Sequence, residues 1–199
     1  MKFQDQRSLI LVKPDGVQRS LIGDIIKRIE RTGLKITAMK MLVPSREQVI
    51  DHYHKDDAWF LKKGTKILED RKANNLPVEK EAIEYGRDII EQNVKFMTCG
   101  PIVAFVAQGN QAPIIVKKIV GGTEPSSSDV GTIRGDLTVD SYDHAAVDAR
   151  AVRNLVHCSE NVEDAEREIL VWFKPEEVIG YRHIGEQILY DVNLDGILE

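Results

Sequence analysis

Apolar positions fall into two periods along this chain. Ser8-Leu-Ile-Leu-Val-Lys13 is a near-continuous apolar run halted by Pro14, Asp15 and Gly16, the pattern of a central buried strand followed by a turn. Leu21, Ile22, Ile25, Ile26 and Ile29 then trace one helical face, with Gly33 placed to end it. Leu34 to Val43 alternates loosely and predicts a second strand, stopped by Pro44. Ser45-Arg46-Glu47-Gln48 has capping-box spacing and predicts a short helix carrying His52 and Tyr53 at its end. A further helix is expected from Ala58 to Asp70.

The texture changes from Arg71 to Glu91, which is charged and contains Asn74-Asn75-Leu76-Pro77. This stretch reads as an insertion, a solvated helical arm running from Val78 to about Thr98 and interrupted at Gly86. Ile102 to Ala107 predicts a third strand and Gln111 to Val120 a helix ended by Gly121-Gly122. Thr123 to Asp136 is a long polar loop, a kind usually functional. Leu137 to Arg150 reads as a second insertion or lid.

Leu155 and Val156 lead into a fourth strand ending at His157. Ser159 is positioned to cap a helix beginning near Glu160, with Glu163 and Asp164 favoured by the helix dipole. Val162, Ala165, Ile169 and Trp172 recur at helical spacing, and Glu168 falls on the edge of that buried face. A carboxylate there can reach back to the imidazole at the strand end and fix its tautomer. On their own, these residues read more simply as a loop histidine and a solvated glutamate. The order of elements predicts an α+β fold: a mostly antiparallel four-stranded sheet with helices on one side, a ferredoxin-like sandwich. A doubly wound parallel sheet is the competitor.

With 199 residues, 42% hydrophobic and 30% charged, the chain suits one soluble domain with insertions. A net charge of −5 makes neither nucleic acid nor an anionic membrane the expected partner. Cys99 and Cys158 form no disulfide framework or metal-ligand spacing, which predicts a reduced, cytoplasmic setting. No segment is long and apolar enough to span a bilayer. The sequence contains no Gly-x-x-x-x-Gly-Lys-Ser/Thr, so any phosphate binding uses other means.

Five pieces occur together: Lys13-Pro14-Asp15-Gly16-Val17-Gln18-Arg19, His52-Tyr53, Gly131-Thr132-Ile133-Arg134-Gly135-Asp136, Arg153-Asn154-Leu155-Val156-His157-Cys158-Ser159, and Glu163 to Phe173. In this order they resemble the nucleoside diphosphate kinases, over nearly the whole chain apart from the two insertions and the last residues. The resemblance implies transfer of the γ-phosphate of a nucleoside triphosphate to a nucleoside diphosphate by a ping-pong route through a phosphohistidine at His157. It assigns Glu168 to orienting the imidazole, Ser159 to a nearby hydroxyl, and Lys13 and Tyr53 to the moving phosphate. Thr123 and Arg134 match phosphate contacts and Asn154 a ribose contact. Trp59 best matches the aromatic that stacks the base, with Phe60 the alternative.

Two positions depart from the family pattern. Lys117 stands where the family has a phosphate-binding arginine, which keeps the charge and loses the two-pronged grip. Cys158 stands where glycine or alanine is usual. The resemblance further implies Mg²⁺ held mainly by the nucleotide phosphates and water, no dedicated protein metal site, and a homo-hexamer, with a tetramer as the other assembly. A catalytically silent nucleotide-binding domain and a phosphohistidine donor in signalling are the competing functions.

Overall fold

The computed structural model describes residues 5–193. Its sheet has four strands, β1 (Arg7–Val12), β2 (Lys35–Leu42), β3 (Ile102–Gln108) and β4 (Val156–Cys158), in the order β2-β3-β1-β4 with every pairing antiparallel. That is the ferredoxin-like sandwich. β1 sits centrally because it is apolar at every inward position, with Leu9, Ile10, Leu11 and Val12 all fully buried. Such a strand must be covered on both faces.

The two faces are covered by different helices, which corrects the expectation of helices on one side only. α2 (Ile22–Glu30) and α6 (Ala112–Val120) put Ile25, Ile29, Val116 and Val120 against Ile10, Val12 and Phe105. Across the sheet, α3 (Arg46–Tyr53), α5 (Ala82–Met97) and α9 (Val162–Trp172) bring Val49, Val94, Met97, Ile169 and Trp172 onto Leu9, Leu11 and Val106. The strict alternation of side chains along β1 therefore feeds two separate cores.

Lys13 is followed by α1 (Pro14–Gln18), a one-turn helix where the sequence reads as a turn, because proline is well suited to a first helical position. Ser45 caps α3 as its spacing predicts, accepting from the Gln48 amide at 3.2 Å. α4 (Asp57–Ala73) and α5 form an antiparallel hairpin, and α5 runs unbroken through Gly86. Gly86 interrupts nothing because its missing side chain is what lets the two helices touch. A Cβ there would collide with the Phe60 carbonyl, and one at Gly64 with the Ala82 carbonyl.

The stretch after α6 contains α7 (Ile133–Leu137) and α8 (Tyr142–Val147), tied down by Arg150 to Asp140 at 2.7 Å. After α9 the chain returns along β2: the Ile179 amide donates to the Thr37 carbonyl at 2.8 Å, at a bulge between Ile36 and Ala38. α10 (Glu186–Tyr190) then packs beside the α2–β2 turn, with Lys35 paired to Glu186. The tail covers its own sheet edge, and residues 194–199 lie outside the described residues.

Candidate active site

The site forms where the ends of β1 and β4 meet. His157 lies opposite Leu11 in the β1–β4 register and so projects to the α9 side of the sheet, whereas Cys158, opposite Ile10, packs on the other face. Burial pushes the Cys158 thiol up to about 11, which keeps it protonated and inert. From α9, Glu168 is 6% exposed and places Oε2 at 3.1 Å from His157 Nε2. The Ser159 hydroxyl donates to the same oxygen at 2.7 Å and accepts the Leu9 amide at 3.1 Å.

Ser159 is therefore not the helix cap its position predicts. Asn161 caps α9 instead, accepting from the Asp164 amide at 2.8 Å. This shift of two residues frees Ser159 to hold Glu168, and its proton points at the carboxylate. Burial works against the Glu168 charge, but the hydrogen bonds and charge of the His157 partnership and the Ser159 bond outweigh it, and its pKa is lowered.

His157 is set up by a kinked approach. Leu155 is fully buried with φ +66°, and the Val156 amide donates back to the Asn154 carbonyl at 2.7 Å, a γ-turn that a leucine adopts only at a cost. Three side chains or amides hold it. Asp15 accepts the Leu155 amide at 3.1 Å, and the Lys13 amide donates to the Leu155 carbonyl at 2.8 Å. Arg134 donates to the carbonyls of Asn154 at 3.2 Å, Val156 at 2.6 Å, Gly121 at 3.0 Å and Gly122 at 2.9 Å.

Most of the Arg134 fork is thus committed to backbone, where the sequence reading gave it two parallel bonds to phosphate. It fixes the turn and contributes a buried positive charge. Lys13 is 6% exposed and donates to Asn154 Oδ1 at 2.7 Å, while Asn154 donates to the Thr123 carbonyl at 2.8 Å. Burial first, and then the Arg134 charge, bring the Lys13 pKa down to about 8. Tyr53, half-buried, stands with its ring 6.4 Å from His157, and burial together with the Glu168 charge raises its pKa strongly, so the phenol keeps its proton.

The predicted residues do not all converge. Lys117 is exposed and ion-paired with Glu160 at the start of the α9 approach. Trp59 and Phe60 lie edge-on to each other at 5.6 Å on α4, with Lys55 and Lys63 against the indole and Arg87 against the phenyl ring. Among the described residues no hydrogen bond or ring contact joins either aromatic to His157, Lys13 or Arg134. Phe96 and Arg153 went unassigned in the sequence: the Arg153 guanidinium lies 4.2 Å and the Lys13 ammonium 5.8 Å from the Phe96 ring centroid. His52 also gave no role of its own, although its ring is edge-on to His157 at 4.3 Å. Its adjacency to Tyr53 was the one available signal.

Fold and site together define a ferredoxin-like α+β protein whose β4 histidine is held by a buried carboxylate beside a cluster of basic groups. The family model for nucleoside diphosphate kinase matches residues 6–90 and 58–178. A nucleoside diphosphate kinase of Pyrobaculum aerophilum is 44% identical over 181 residues, covering 87% of this chain and 98% of that protein. The crystal structure of an NDP kinase from the same organism superposes with a TM-score of 0.83 at 41% identity, over 88% of this chain and all of that one. A Borrelia burgdorferi nucleoside-diphosphate kinase with bound vanadate and ADP, described as a transition-state mimic, gives 0.76 at 34% identity over 91% and 94%. The chain belongs to the nucleoside diphosphate kinase family.

Proposed function

We propose that this chain moves the γ-phosphate of a nucleoside triphosphate onto His157 and from there onto a second nucleoside diphosphate. The observation that carries the reading is the pairing of His157 Nε2 with Glu168 Oε2 at 3.1 Å. With the Nε2 proton held by the carboxylate, the lone pair sits on Nδ1, which is then the attacking atom. As the Nδ1–phosphorus bond forms and the bond to the β-phosphate oxygen breaks, the ring gains positive charge, which Glu168 offsets across the hydrogen bond. The leaving diphosphate departs, and a new one takes the phosphoryl group by the reverse steps, giving ping-pong kinetics.

Phosphoryl transfer asks chiefly for alignment and charge around the moving oxygens. Lys13 supplies a point charge, Arg134 a rigidly mounted one, and Tyr53 a phenolic donor that stays protonated. Thr123, exposed and linked through its carbonyl to Asn154, and Lys117 take the more distal phosphates, and Asn154 takes the ribose. The base stacks on Trp59 or Phe60, and the chain distinguishes poorly between bases because any base offers a ring face.

Mg²⁺ carried in on the nucleotide would supply charge neutralisation at its phosphates. The donor set suits that arrangement. Glu168 is committed to His157 and Ser159, Glu160 to Lys117, and Asp15 to the Gly16 and Leu155 amides, so the chain offers the phosphates cations and hydroxyls.

Brief incubation with ATP and Mg²⁺, followed by intact mass under alkaline conditions, tests the reading. One acid-labile phosphate on His157, discharged by any nucleoside diphosphate, is expected. An unmodified protein that still binds ADP would make this a silent nucleotide-binding domain. We further propose one cytoplasmic domain carrying additions at 71–91 and 137–150, assembled as a hexamer. The loop from Thr123 onward supports the assembly, since it presents Val130 94% exposed, and light scattering decides between hexamer and tetramer.

A further inference from the structure

His52 is a buried histidine (1% exposed) one residue before Tyr53, and the transfer chemistry above gives it nothing to do. Its surroundings are specific. The Trp172 indole N–H donates to His52 Nδ1 at 3.1 Å. Arg167 donates to the His52 carbonyl at 3.2 Å, fixing the end of α3 onto α9. The ring stands edge-on to the His157 imidazole, with centroids 4.3 Å apart and planes at 83°. Its Nε2 is buried with no hydrogen-bond partner among the described residues.

A ring nitrogen of His52 falls within 4.8 Å of donor atoms on His157 and Glu168, a grouping compact enough to consider a metal ion. The tautomer argues otherwise. An indole N–H only donates, so Nδ1 of His52 must accept, and the single proton of the neutral ring then sits on Nε2. Burial, and the positive charges of Arg167, Lys13 and Lys55, keep this ring neutral. A protonated Nε2 has no lone pair for a metal. What remains is a rigid, neutral ring pressed against the catalytic one, leaving a buried donor unsatisfied to do so.

We propose that His52 is a positioning residue whose ring wall stops the His157 imidazole from rotating about its Cβ–Cγ bond, and so confines phosphorylation to Nδ1. Glu168 alone does not ensure this, because a single hydrogen bond tolerates ring tilt and the imidazole is otherwise partly open. A rotation by half a turn would put carbon Cδ2 where Nδ1 attacks and carry Nε2 off Glu168 into the place of Cε1, making it the ring nitrogen nearer the phosphate. Trp172 holds the wall upright, with its indole N–H on Nδ1 and its ring 5.6 Å away. The inference rests on the phosphohistidine reading given above.

The test is phosphorylation of the full chain by ATP and Mg²⁺, with single-turnover rates and ³¹P spectra of the alkaline-quenched protein, which separate the two phosphohistidine isomers. The native chain should carry phosphate on Nδ1 alone. His52→Ala should lose roughly tenfold to a hundredfold in the phosphorylation rate with an unchanged ADP dissociation constant, and should show the Nε2 isomer. His52→Phe, which keeps a ring face, should restore Nδ1 selectivity, whereas His52→Gln, which keeps only an acceptor for Trp172, should behave like alanine. That pair carries the test if the alanine variant does not fold. Native-like rate and pure Nδ1 product in His52→Ala or His52→Gln would overturn the proposal. No phosphohistidine in the native chain would instead overturn the reading on which it rests.

Discussion

Glu168 and His157 are eleven residues apart in sequence, on a helix and a strand, and meet at 3.1 Å through Oε2 and Nε2. The contact depends on α9 starting at Val162, capped by Asn161, so that Glu168 turns inward over the strand end. Ser159 occupies the other lone pair of the same oxygen at 2.7 Å, and the carboxylate cannot swing away without leaving a buried hydroxyl unpaired.

From this pair comes the first prediction. Glu168→Gln should slow single-turnover phosphorylation by about ten- to a hundredfold while leaving ADP affinity within about twofold, because it removes charge from behind the ring and not from the phosphates. The reverse pattern, weakened binding with an intact rate, would make Glu168 structural. Since its folded pKa is depressed, the stability it contributes is present above the ordinary glutamate value and lost as pH falls through the lowered one. Melting temperatures of the native and Gln chains should therefore converge on acidification.

Lys13 sets the alkaline behaviour. With a pKa near 8 in the free protein, it loses its charge as pH rises through that value, and kcat/KM should fall with it. Bound phosphates favour the charged form, so the corresponding fall in kcat should lie at higher pH. Lys13→Arg should flatten the kcat/KM profile above pH 8 even if its rate is lower. The stability sign is opposite: a lysine lowered in the folded state makes the unfolded chain the stronger proton binder, so stability should rise between about pH 8 and pH 10.4.

Arg134 separates two roles by a melting curve. If it served phosphate alone, its removal would leave the folded state untouched. Because it donates to the carbonyls of Asn154 and Val156 on either side of Leu155 and to those of Gly121 and Gly122 after α6, Arg134→Ala should cost on the order of 3 kcal/mol and lower the melting temperature along with the rate. An unchanged melting temperature would contradict the bracing role.

Lys117 meets Glu160 in an exposed pair, an interaction worth at most about 1 kcal/mol at the surface. Phosphate must compete with that carboxylate for the ammonium. Lys117→Ala should raise the nucleotide KM a few-fold and Glu160→Gln should lower it, each with kcat nearly unchanged. If both KM values stay at the native level, Lys117 is outside the pocket.

The chain's own text settled a good deal. The near-continuous apolar runs at Ser8–Lys13 and Ile102–Ala107 and the helical spacing of Leu21 to Ile29 follow from local periodicity, which adjacent positions carry in full, whereas Lys13, His157 and Glu168 stand out only through the resemblance of their motifs to the family. Periodicity could not say that the second sheet face is also covered, since a strand buried twice and a strand buried once beside a helix differ only in what later segments do. Nor could it move the α9 cap from Ser159 to Asn161, because serine and asparagine cap equally well and only the pull of Glu168 on the Ser159 hydroxyl decides between them. The commitment of Arg134 to carbonyls, the left-handed Leu155 and the wall made by His52 are relations between residues from 12 to about 140 positions apart, and such distances close only when the sheet and the helices pack.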